Sequence, residues 1–366
     1  MQVTQELLSL DPFDFSEKAK QLFVKSFSEV ADHHYRNNQY FRKLWQKHDI
    51  TPGSINDEIS VETAPSIMVN LFKEFDMSSV PENDVALVLT SSGTGGRKSK
   101  IFLNEGSLAR VKRLAFNIHK ALGMAEQEEA NYLCFSYDPK HATDLGTSFT
   151  DDLLTSFTPR GEVFYTFMWD DKAQKFYFNE PGTLAALERF EESGKPVRIL
   201  GLPAYLYRLL KSYPDLKFNF GNRSWLQTGG GWKSFADEEI PKETFRLFIE
   251  QRLGIPAQNV RDMFGMVEHG IPYVDCELGQ LHIPNYARVF IRDPFTLKRV
   301  PDGTTGLIHF CCTYVDSYPS ISLLTTDWGS VGQCSCKLGG FTLNVHGRAG
   351  NVKHKGCALT SIEMNL

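Results

Sequence analysis

The sequence predicts an α/β fold with mixed sheets flanked by helices, followed by a small β-rich lobe. Two observations lead to this prediction. In the middle of the chain, apolar runs at 132–137 and 197–202 alternate with segments of helical periodicity at 183–193 and 204–212, which is typical of a largely parallel sheet. From about residue 274 onward, short β-prone runs are separated by Gly, Pro and Asp, which indicates a meander or a small barrel-like lobe.

Segments before the alternating region add helices and one strand to this architecture. Residues 16–45 are rich in helix formers and carry one apolar face, so we expect helices that pack on the core. The apolar run 85–89 predicts a buried strand, and residues 105–122 predict a helix. Residues 56–77 show no clean periodicity, and the sequence leaves their structure open.

Composition narrows the class of protein. The chain has 366 residues, of which 42% are hydrophobic and 23% charged, as in soluble globular proteins. Because the net charge is -5 and no basic stripe is visible, nucleic acid is not expected as a partner. No apolar run approaches the roughly 18 residues of a membrane span, and the N-terminus does not resemble a signal peptide. We therefore expect a cytoplasmic protein without a membrane span.

A run of hydroxyl residues and glycines follows the predicted strand and reads Ser-Ser-Gly-Thr-Gly-Gly-Arg-Lys. Glycines let backbone N–H groups approach an oxyanion, hydroxyls add donors and a lysine adds positive charge, so this composition favours a phosphate-binding loop. The spacing of the glycines excludes a Walker A loop, and an ordinary strand-to-loop connection is the alternative. The predicted phosphate-binding residues are Ser91, Ser92, Gly93, Thr94, Gly96 and Lys98.

Five further patches follow this loop: a triple glycine at 229–231, Phe-Gly-Met-Val-Glu ending at Glu268, Gly-Thr-Thr-Gly at 303–306, Thr-Thr-Asp ending at Asp327, and Gly-Arg-Ala-Gly around Arg348. In this order they resemble the motifs of adenylate-forming enzymes, the superfamily that activates carboxylic acids with ATP and Mg²⁺. The resemblance predicts the fold of the N-terminal domain of those enzymes.

The resemblance also implies a role for each patch. Gly229, Gly230 and Gly231 are expected to line the adenine and acyl pocket, and Glu268 to hold Mg²⁺ against the phosphates. Asp327 is expected to accept hydrogen bonds from both ribose hydroxyls, with Arg348 over the ribose or phosphate. The alternatives are a tight turn at the glycines and a plain turn residue at Asp327.

The C-terminal tail departs from most of that superfamily. Acyl-CoA ligases continue past the Arg348 patch into a mobile lid domain with a catalytic lysine, whereas this chain ends shortly afterwards with Lys-His-Lys-Gly-Cys and nine further residues. We therefore expect the usual C-terminal lid domain to be absent. Lys353 and Lys355, which lie close to Cys357 in the sequence, favour the nucleophilic thiolate.

The tail, the Thr-Gly-Gly-Gly-Trp-Lys run and the Arg-Asp-Met-Phe-x-x-Val-Glu run together resemble the acyl-protein synthetases of bacterial bioluminescence, the LuxE family. The resemblance covers most of the chain. It implies that a long-chain fatty acid is activated as acyl-AMP, transferred to Cys357 as a thioester, and passed to an acyl-CoA-reductase-like protein of the LuxC type. An idle tail cysteine is the alternative reading. His346, His354 and His269 are three candidates for the base that deprotonates the thiol.

Three cysteines and one histidine suggest a second function, the binding of a metal ion. Cys276, His282, Cys334 and Cys336 offer three thiols and one imidazole, which suit a structural Zn²⁺, and related phenylacetate-CoA ligases place a similar set. Ordinary core cysteines are the alternative.

These patterns divide the chain into four predicted segments: an N-terminal helical segment 1–80, an α/β nucleotide-binding core 81–273, a β-rich lobe 274–346, and a C-terminal tail 347–366 that carries the acceptor cysteine. Two other functions stay open at this point. One is an acyl- or aryl-CoA or carrier-protein ligase, and the other is a non-catalytic nucleotide-binding module, because Val267, Thr326 and Gly350 depart from the superfamily's motifs.

Overall fold

The computed structural model describes residues 1–91, 98–138, 140–141, 150 and 152–348, apart from the side chains of residues 233 and 234. The helices are α1 (Gln2–Leu7), α2 (Glu17–Asn37), α3 (Gln39–Lys47), α4 (Glu58–Glu62), α5 (Leu71–Glu74), α6 (Glu105–Ala121), α7 (Glu180–Ser193), α8 (Pro203–Ser212) and α9 (Lys242–Leu253). The strands are β1 (Ile67–Met68), β2 (Val85–Thr90), β3 (Lys100–Asn104), β4 (Ala130–Tyr137), β5 (Arg160–Asp170), β6 (Lys175–Phe178), β7 (Val197–Gly201), β8 (Trp225–Gly229), β9 (Val260–Phe264), β10 (Tyr273–Val274), β11 (Leu281–His282), β12 (Ala287–Arg292), β13 (Gly306–Cys312), β14 (Ser322–Gln333) and β15 (Phe341–Arg348).

A seven-stranded sheet forms the centre of the α/β part, with the order β10-β9-β8-β7-β4-β5-β6. The five strands from β9 to β5 are parallel, and β10 and β6 pair antiparallel at the two edges. Along β4, Tyr132 and Cys134 belong to the core on the α6 side, and Leu133 and Phe135 belong to the core formed with α7, α8 and α9. Burial on both faces explains the continuous apolar runs in the sequence, and the predicted largely parallel sheet is confirmed.

The C-terminal part of the described chain forms a second, mainly antiparallel sheet with the order β11-β15-β14-β13-β12, to which β1 adds in parallel beside β14. The predicted β-rich lobe is therefore present as a sheet. The N-terminal helices pack on its connections: His34 Nε2 in α2 lies 3.1 Å from the carbonyl oxygen of Val315, and the Thr4 hydroxyl donates to the carbonyl oxygen of Thr313 (3.4 Å).

One local prediction needs correction. The run 85–89 does form a strand, but only Leu89 in it is buried, because β2 pairs with β3 in a ribbon to which no third strand of the described chain is added. The helices expected within 16–45 are present as α2 and α3. Asn38 separates them with an extended backbone, and its side chain accepts a hydrogen bond from Phe41 N in α3.

Within the ranges given above, no helix combines the length and the apolar character needed to cross a membrane. The predicted cytoplasmic location and the four segment boundaries stay predictions.

Candidate functional site

A polar cleft of about 1220 Å³ lies where the carboxyl ends of β8 and β9 face the second sheet. Ligands bind at this edge of parallel sheets in many α/β proteins. The predicted site residues that line the cleft come from five separate parts of the chain. They are Ser91, Gly230, Gly231, Glu268, Asp327 and Arg348.

Asp327 and Arg348 are cross-strand neighbours on β14 and β15. Arg348 Nε lies 3.4 Å from Asp327 Oδ1. The Asp327 residue is only 7% exposed, and this burial raises the pKa of its carboxyl, although Arg348 opposes the shift. The pair thus presents one carboxylate and one guanidinium to the cleft, groups that can accept from sugar hydroxyls and donate to a phosphate.

Glu268 lies in the turn that follows β9 and is 5% exposed. Among the described residues its carboxylate has neither an ion pair nor a hydrogen bond, and it lines the cleft. A buried carboxylate without a partner is costly, so a cation in the cleft would stabilise it. Oxygen ligands of this kind suit Mg²⁺.

Only the two ends of the predicted phosphate-binding loop are described. Ser91 N–H donates to Ser99 O, and Ser99 N–H donates to Ser91 Oγ, both at 3.0 Å, which ties the ends together. Lys98 is exposed. Ser92, Gly93, Thr94 and Gly96 lie outside the described residues, as do Lys355 and Cys357 in the tail.

An apolar cavity of about 200 Å³ adjoins the cleft. It lies between α6, the β2–β3 ribbon and the α6 face of the seven-stranded sheet. Its apolar lining includes Leu89, Ile101, Leu103, Val111, Ala115 and Met263. Of this lining, the sequence indicated only the triple glycine, which was expected to line an acyl pocket and of which Gly229 and Gly230 line the cavity.

The cavity and the cleft share part of their walls. Gly230, Met263, Gly265, Met266 and Val267 line both, whereas Gly229 lines only the cavity and Gly231 only the cleft. The triple glycine thus lies at the boundary between a polar and an apolar compartment. Gly230 and Gly231 have φ angles of 74° and 64°, a backbone region in which glycine carries no steric penalty.

The four predicted metal-ligand residues lie together. The candidate ligand atoms of Cys276, His282, Cys334 and Cys336 lie within 4.8 Å of one another. Cys276 Sγ is 3.7 Å from Cys334 Sγ, and Cys336 Sγ is 3.2 Å from His282 Nε2. Residues 279–281, between the first two members, line the cleft, so this group stands behind one of its walls.

Of the three candidate bases for the thiol, His269 does not fit that role. Its ring is fully buried against Phe310, and its Nε2 lies 2.8 Å from the Tyr273 hydroxyl. Burial lowers its pKa to about 3, too low for a base near neutral pH. His346 lines the cleft, with Nε2 3.2 Å from the Ser330 hydroxyl. His354 lies outside the described residues.

Comparison with known protein families gives one match over nearly the whole chain. The model of the family described as "Acyl-protein synthetase, LuxE" matches residues 1–365. Two curated relatives carry the name long-chain-fatty-acid–luciferin-component ligase. The protein from Aliivibrio fischeri is 25% identical, covering 94% of this chain and 89% of the relative. The protein from Vibrio harveyi is 24% identical, with 94% and 88% covered.

Solved structures show the same fold at low sequence identity. A 2-hydroxyisobutyryl-CoA ligase in complex with its acyl adenylate and CoA aligns with a TM-score of 0.65 at 15% identity, covering 91% of this chain and 70% of that one. A long-chain-fatty-acid-CoA ligase from Archaeoglobus fulgidus aligns with a TM-score of 0.51 at 15% identity, covering 74% and 52%. The predicted adenylate-forming fold is confirmed.

Proposed function

The chain belongs to the LuxE family of acyl-protein synthetases, and we propose that it activates a long-chain fatty acid with ATP and transfers the acyl group to its own Cys357. Family membership and the curated ligases make it an acid–thiol ligase. The finer steps rest on the site. The observation that supports them most is the apolar cavity that shares its wall with the polar cleft.

The two compartments match the two halves of an acyl adenylate. A fatty acyl chain gains about 0.8 kcal/mol for each methylene that it buries, so it favours the cavity. A nucleotide carries hydroxyls and phosphates, so it favours the cleft with Asp327 and Arg348. The shared wall at Gly230 and Gly265 then brings the fatty carboxylate next to the α-phosphate.

In the first step, a carboxylate oxygen attacks the α-phosphorus, and the bond to the bridging oxygen of pyrophosphate breaks. Ser91 and the predicted loop residues Ser92, Thr94 and Lys98 hold the departing pyrophosphate. Asp327 orients the ribose through its hydroxyls. Most of the rate enhancement then comes from positioning and charge neutralisation.

Glu268 is the residue that would hold Mg²⁺, since its nearly buried carboxylate has no partner among the residues that the structure describes. The metal supplies charge neutralisation on the phosphates when bound. The chain's own contribution is to fix Glu268 in the turn between β9 and β10, at the border of the cleft.

In the second step, the Cys357 thiolate attacks the acyl carbonyl, the bond to the AMP oxygen breaks, and AMP leaves with the electron pair. Lys355 favours the thiolate, and a base accepts the thiol proton. Cys357 is nine residues beyond Arg348 (357 minus 348). An extended chain of that length spans up to about 30 Å, which is enough to reach the cleft from Arg348.

The thioester is then the form in which the acyl group passes to an acyl-CoA-reductase-like protein of the LuxC type. A reductase acts on a thioester more readily than on a free acid, because a thiolate is the better leaving group. We propose that this transfer takes place in the cytoplasm.

The acyl-transfer step is tested with a radiolabelled long-chain fatty acid, ATP and Mg²⁺, followed by a denaturing gel. We expect label on the wild-type chain that neutral hydroxylamine releases, and no label on the Cys357→Ser variant, while both exchange pyrophosphate into ATP. Cys311→Ser, at a buried position on β13, is the matched control and should retain label. Exchange without label on either protein would instead favour CoA or a carrier protein as the acceptor.

We also propose that Cys276, His282, Cys334 and Cys336 hold a structural Zn²⁺. Tetrahedral zinc with Zn–S bonds of about 2.3 Å places two sulfurs about 3.8 Å apart, close to the 3.7 Å between Cys276 Sγ and Cys334 Sγ. Among the described residues, the buried His282 Nδ1 has no hydrogen-bond partner, so the ring is held by packing and by its Nε2 side.

Metal analysis tests this site independently of activity. The purified protein should contain about one zinc per chain, and Cys334→Ser should lose it and unfold at a lower temperature. Cys311→Ser, on β13 outside the group, should keep the metal. A zinc-free wild type that is unaffected by added zinc would contradict the proposal.

A further inference from the structure

The apolar cavity has a polar inner end, and the position of this end limits the length of an acyl chain that the cavity can hold. We propose that the hydrogen-bonded pair of His119 and Gln227 forms the floor of the cavity and sets the longest acyl chain that the enzyme activates. The inference rests on the proposed function, since it assigns a chain-length limit to the same site.

The positions of the lining residues place this pair farthest from the cleft. On β8, Gln227 lines the cavity three residues before Gly230, a distance of about 10 Å along a strand. On α6, Val111, Ala115 and His119 follow one another at successive turns, a rise of about 12 Å from first to last. Along both elements, the lining residues therefore lead away from the cleft and end at Gln227 and His119.

The row of strand residues level with Gln227 closes the space. Leu200 on β7 pairs with Gln227, and Cys134 on β4 pairs with Leu200. Both are fully buried, and neither lines the cavity. Behind the floor, the Phe157 ring packs on the His119 ring with 5.2 Å between centroids. The chain thus has no continuation of the cavity past this row among the described residues.

One hydrogen bond joins the pair, and a second close contact lies on the helix side of the imidazole. His119 Nε2–H donates to Gln227 Oε1 (2.9 Å), and His119 Nδ1 lies 2.8 Å from the carbonyl oxygen of Ala115. The amide nitrogen of Gln227 contacts Met263 Sδ at 3.1 Å. His119 is fully buried and Gln227 is 2% exposed, so neither group can turn to solvent if the contact is broken.

A polar floor limits length more sharply than an apolar one. Each methylene added within the cavity should raise kcat/KM about fourfold through burial. A chain that is one unit too long must separate His119 from Gln227 and leave buried polar atoms unpaired, which lowers kcat/KM by roughly 5- to 150-fold. An apolar floor could repack around the extra carbon, and the decline would be gradual.

The test measures kcat/KM for fatty-acid-dependent pyrophosphate exchange with saturated fatty acids of increasing length. We expect the wild-type profile to rise and then fall abruptly, and the His119→Ala profile to peak at a longer chain. Val111→Ala, on the same helix face two turns nearer the cleft, should lower activity at every length and leave the peak where it is.

A second variant keeps the proposal testable if His119→Ala does not fold. The double variant His119→Leu/Gln227→Leu removes both polar partners at similar volume, which is often nearly neutral for stability. Its kcat/KM should decline gradually with chain lengths beyond the peak.

The outcomes separate this inference from the proposed function. If wild-type protein exchanges pyrophosphate with no fatty acid of any length, the proposed function fails. If it does exchange, but both variants keep the position and the steepness of the wild-type limit, the assignment of the floor is overturned.

Discussion

Glu268 shows how a single side chain can indicate a ligand. Its carboxylate is nearly buried, yet within the described parts of the chain it has neither a hydrogen bond nor an ion pair, and it lines the same cleft as Asp327 and Arg348. Such a carboxylate does not stabilise the fold, because no hydrogen bond or ion pair of the described residues offsets its removal from water. Its retention is explained if a cation and phosphates complete its environment.

The Glu268→Gln variant should therefore lose catalysis more than stability. We expect fatty-acid-dependent pyrophosphate exchange to fall roughly 100-fold, with more Mg²⁺ needed for half-maximal rate, and an unfolding temperature at or above that of wild type. Glu188→Gln, which removes an exposed carboxylate from α7, serves as the control and should leave both measurements unchanged. An unaltered Mg²⁺ requirement in Glu268→Gln would contradict its role.

At the scale of an element, β7 depends on a glycine at its last residue. Gly201 has a φ angle of 109°, and a Cβ there would lie 2.5 Å from the carbonyl oxygen of Phe135 on the neighbouring strand. Because that atom belongs to the backbone, it cannot move aside without disturbing the β4–β7 pairing. Gly201 also lines the cavity, so the close approach shapes the site.

Gly201→Ala should destabilise the protein by about 1–3 kcal/mol through the clash, besides the cost of its backbone conformation. Urea unfolding of the variant measures this difference. Gly303→Ala provides the comparison, because Gly303 also has a positive φ, 86°, but a Cβ there would meet nothing within 4 Å. Equal losses in the two variants would show that backbone strain alone, and no clash, acts at Gly201.

The elements differ in how well the sequence predicts them. The helix at 105–122 was predicted to within one residue of α6, since Asn104 caps its start and an apolar face runs along it. The strand β3 was not predicted, because its five residues mix polar and apolar side chains and its pairing depends on the return of the chain from β2.

At the scale of the whole molecule, the polar cleft and the apolar cavity also differ in how well the sequence predicts them. Local motifs around Glu268, Asp327 and Arg348 indicated the cleft, and the structure brings those residues to one surface. The cavity is formed by α6, the β2–β3 ribbon, β8 and β9, which are far apart in sequence. No local pattern encodes such a space, so it required the tertiary structure.

Buried histidines should make the stability of the whole molecule depend on pH. Burial lowers the pKa of His34, His269 and His309 to about 3, from an ordinary value of 6.5, and Arg292 adds to the shift at His309. Between these pH values the unfolded chain binds protons that the folded chain does not. The unfolding free energy should therefore fall as pH drops below 6.5 and continue to fall toward 3, by up to about 1.4 kcal/mol per pH unit for each histidine.

Urea unfolding between pH 7 and pH 4 measures this slope. His34→Gln should reduce the slope of unfolding free energy against pH by the contribution of one buried histidine. His48→Gln, at an exposed position, should leave the slope unchanged. A wild-type slope no steeper than that of His34→Gln would contradict the assignment of a neutral, buried His34.

The central claim is that the cleft and the cavity form one site for acyl adenylation. Pyrophosphate exchange into ATP, measured with purified protein, Mg²⁺ and a series of carboxylic acids, tests it most directly. We predict exchange that requires a long-chain fatty acid and is weak or absent with acetate or benzoate. Exchange with short or aromatic acids alone, or with none of the acids, would contradict the claim.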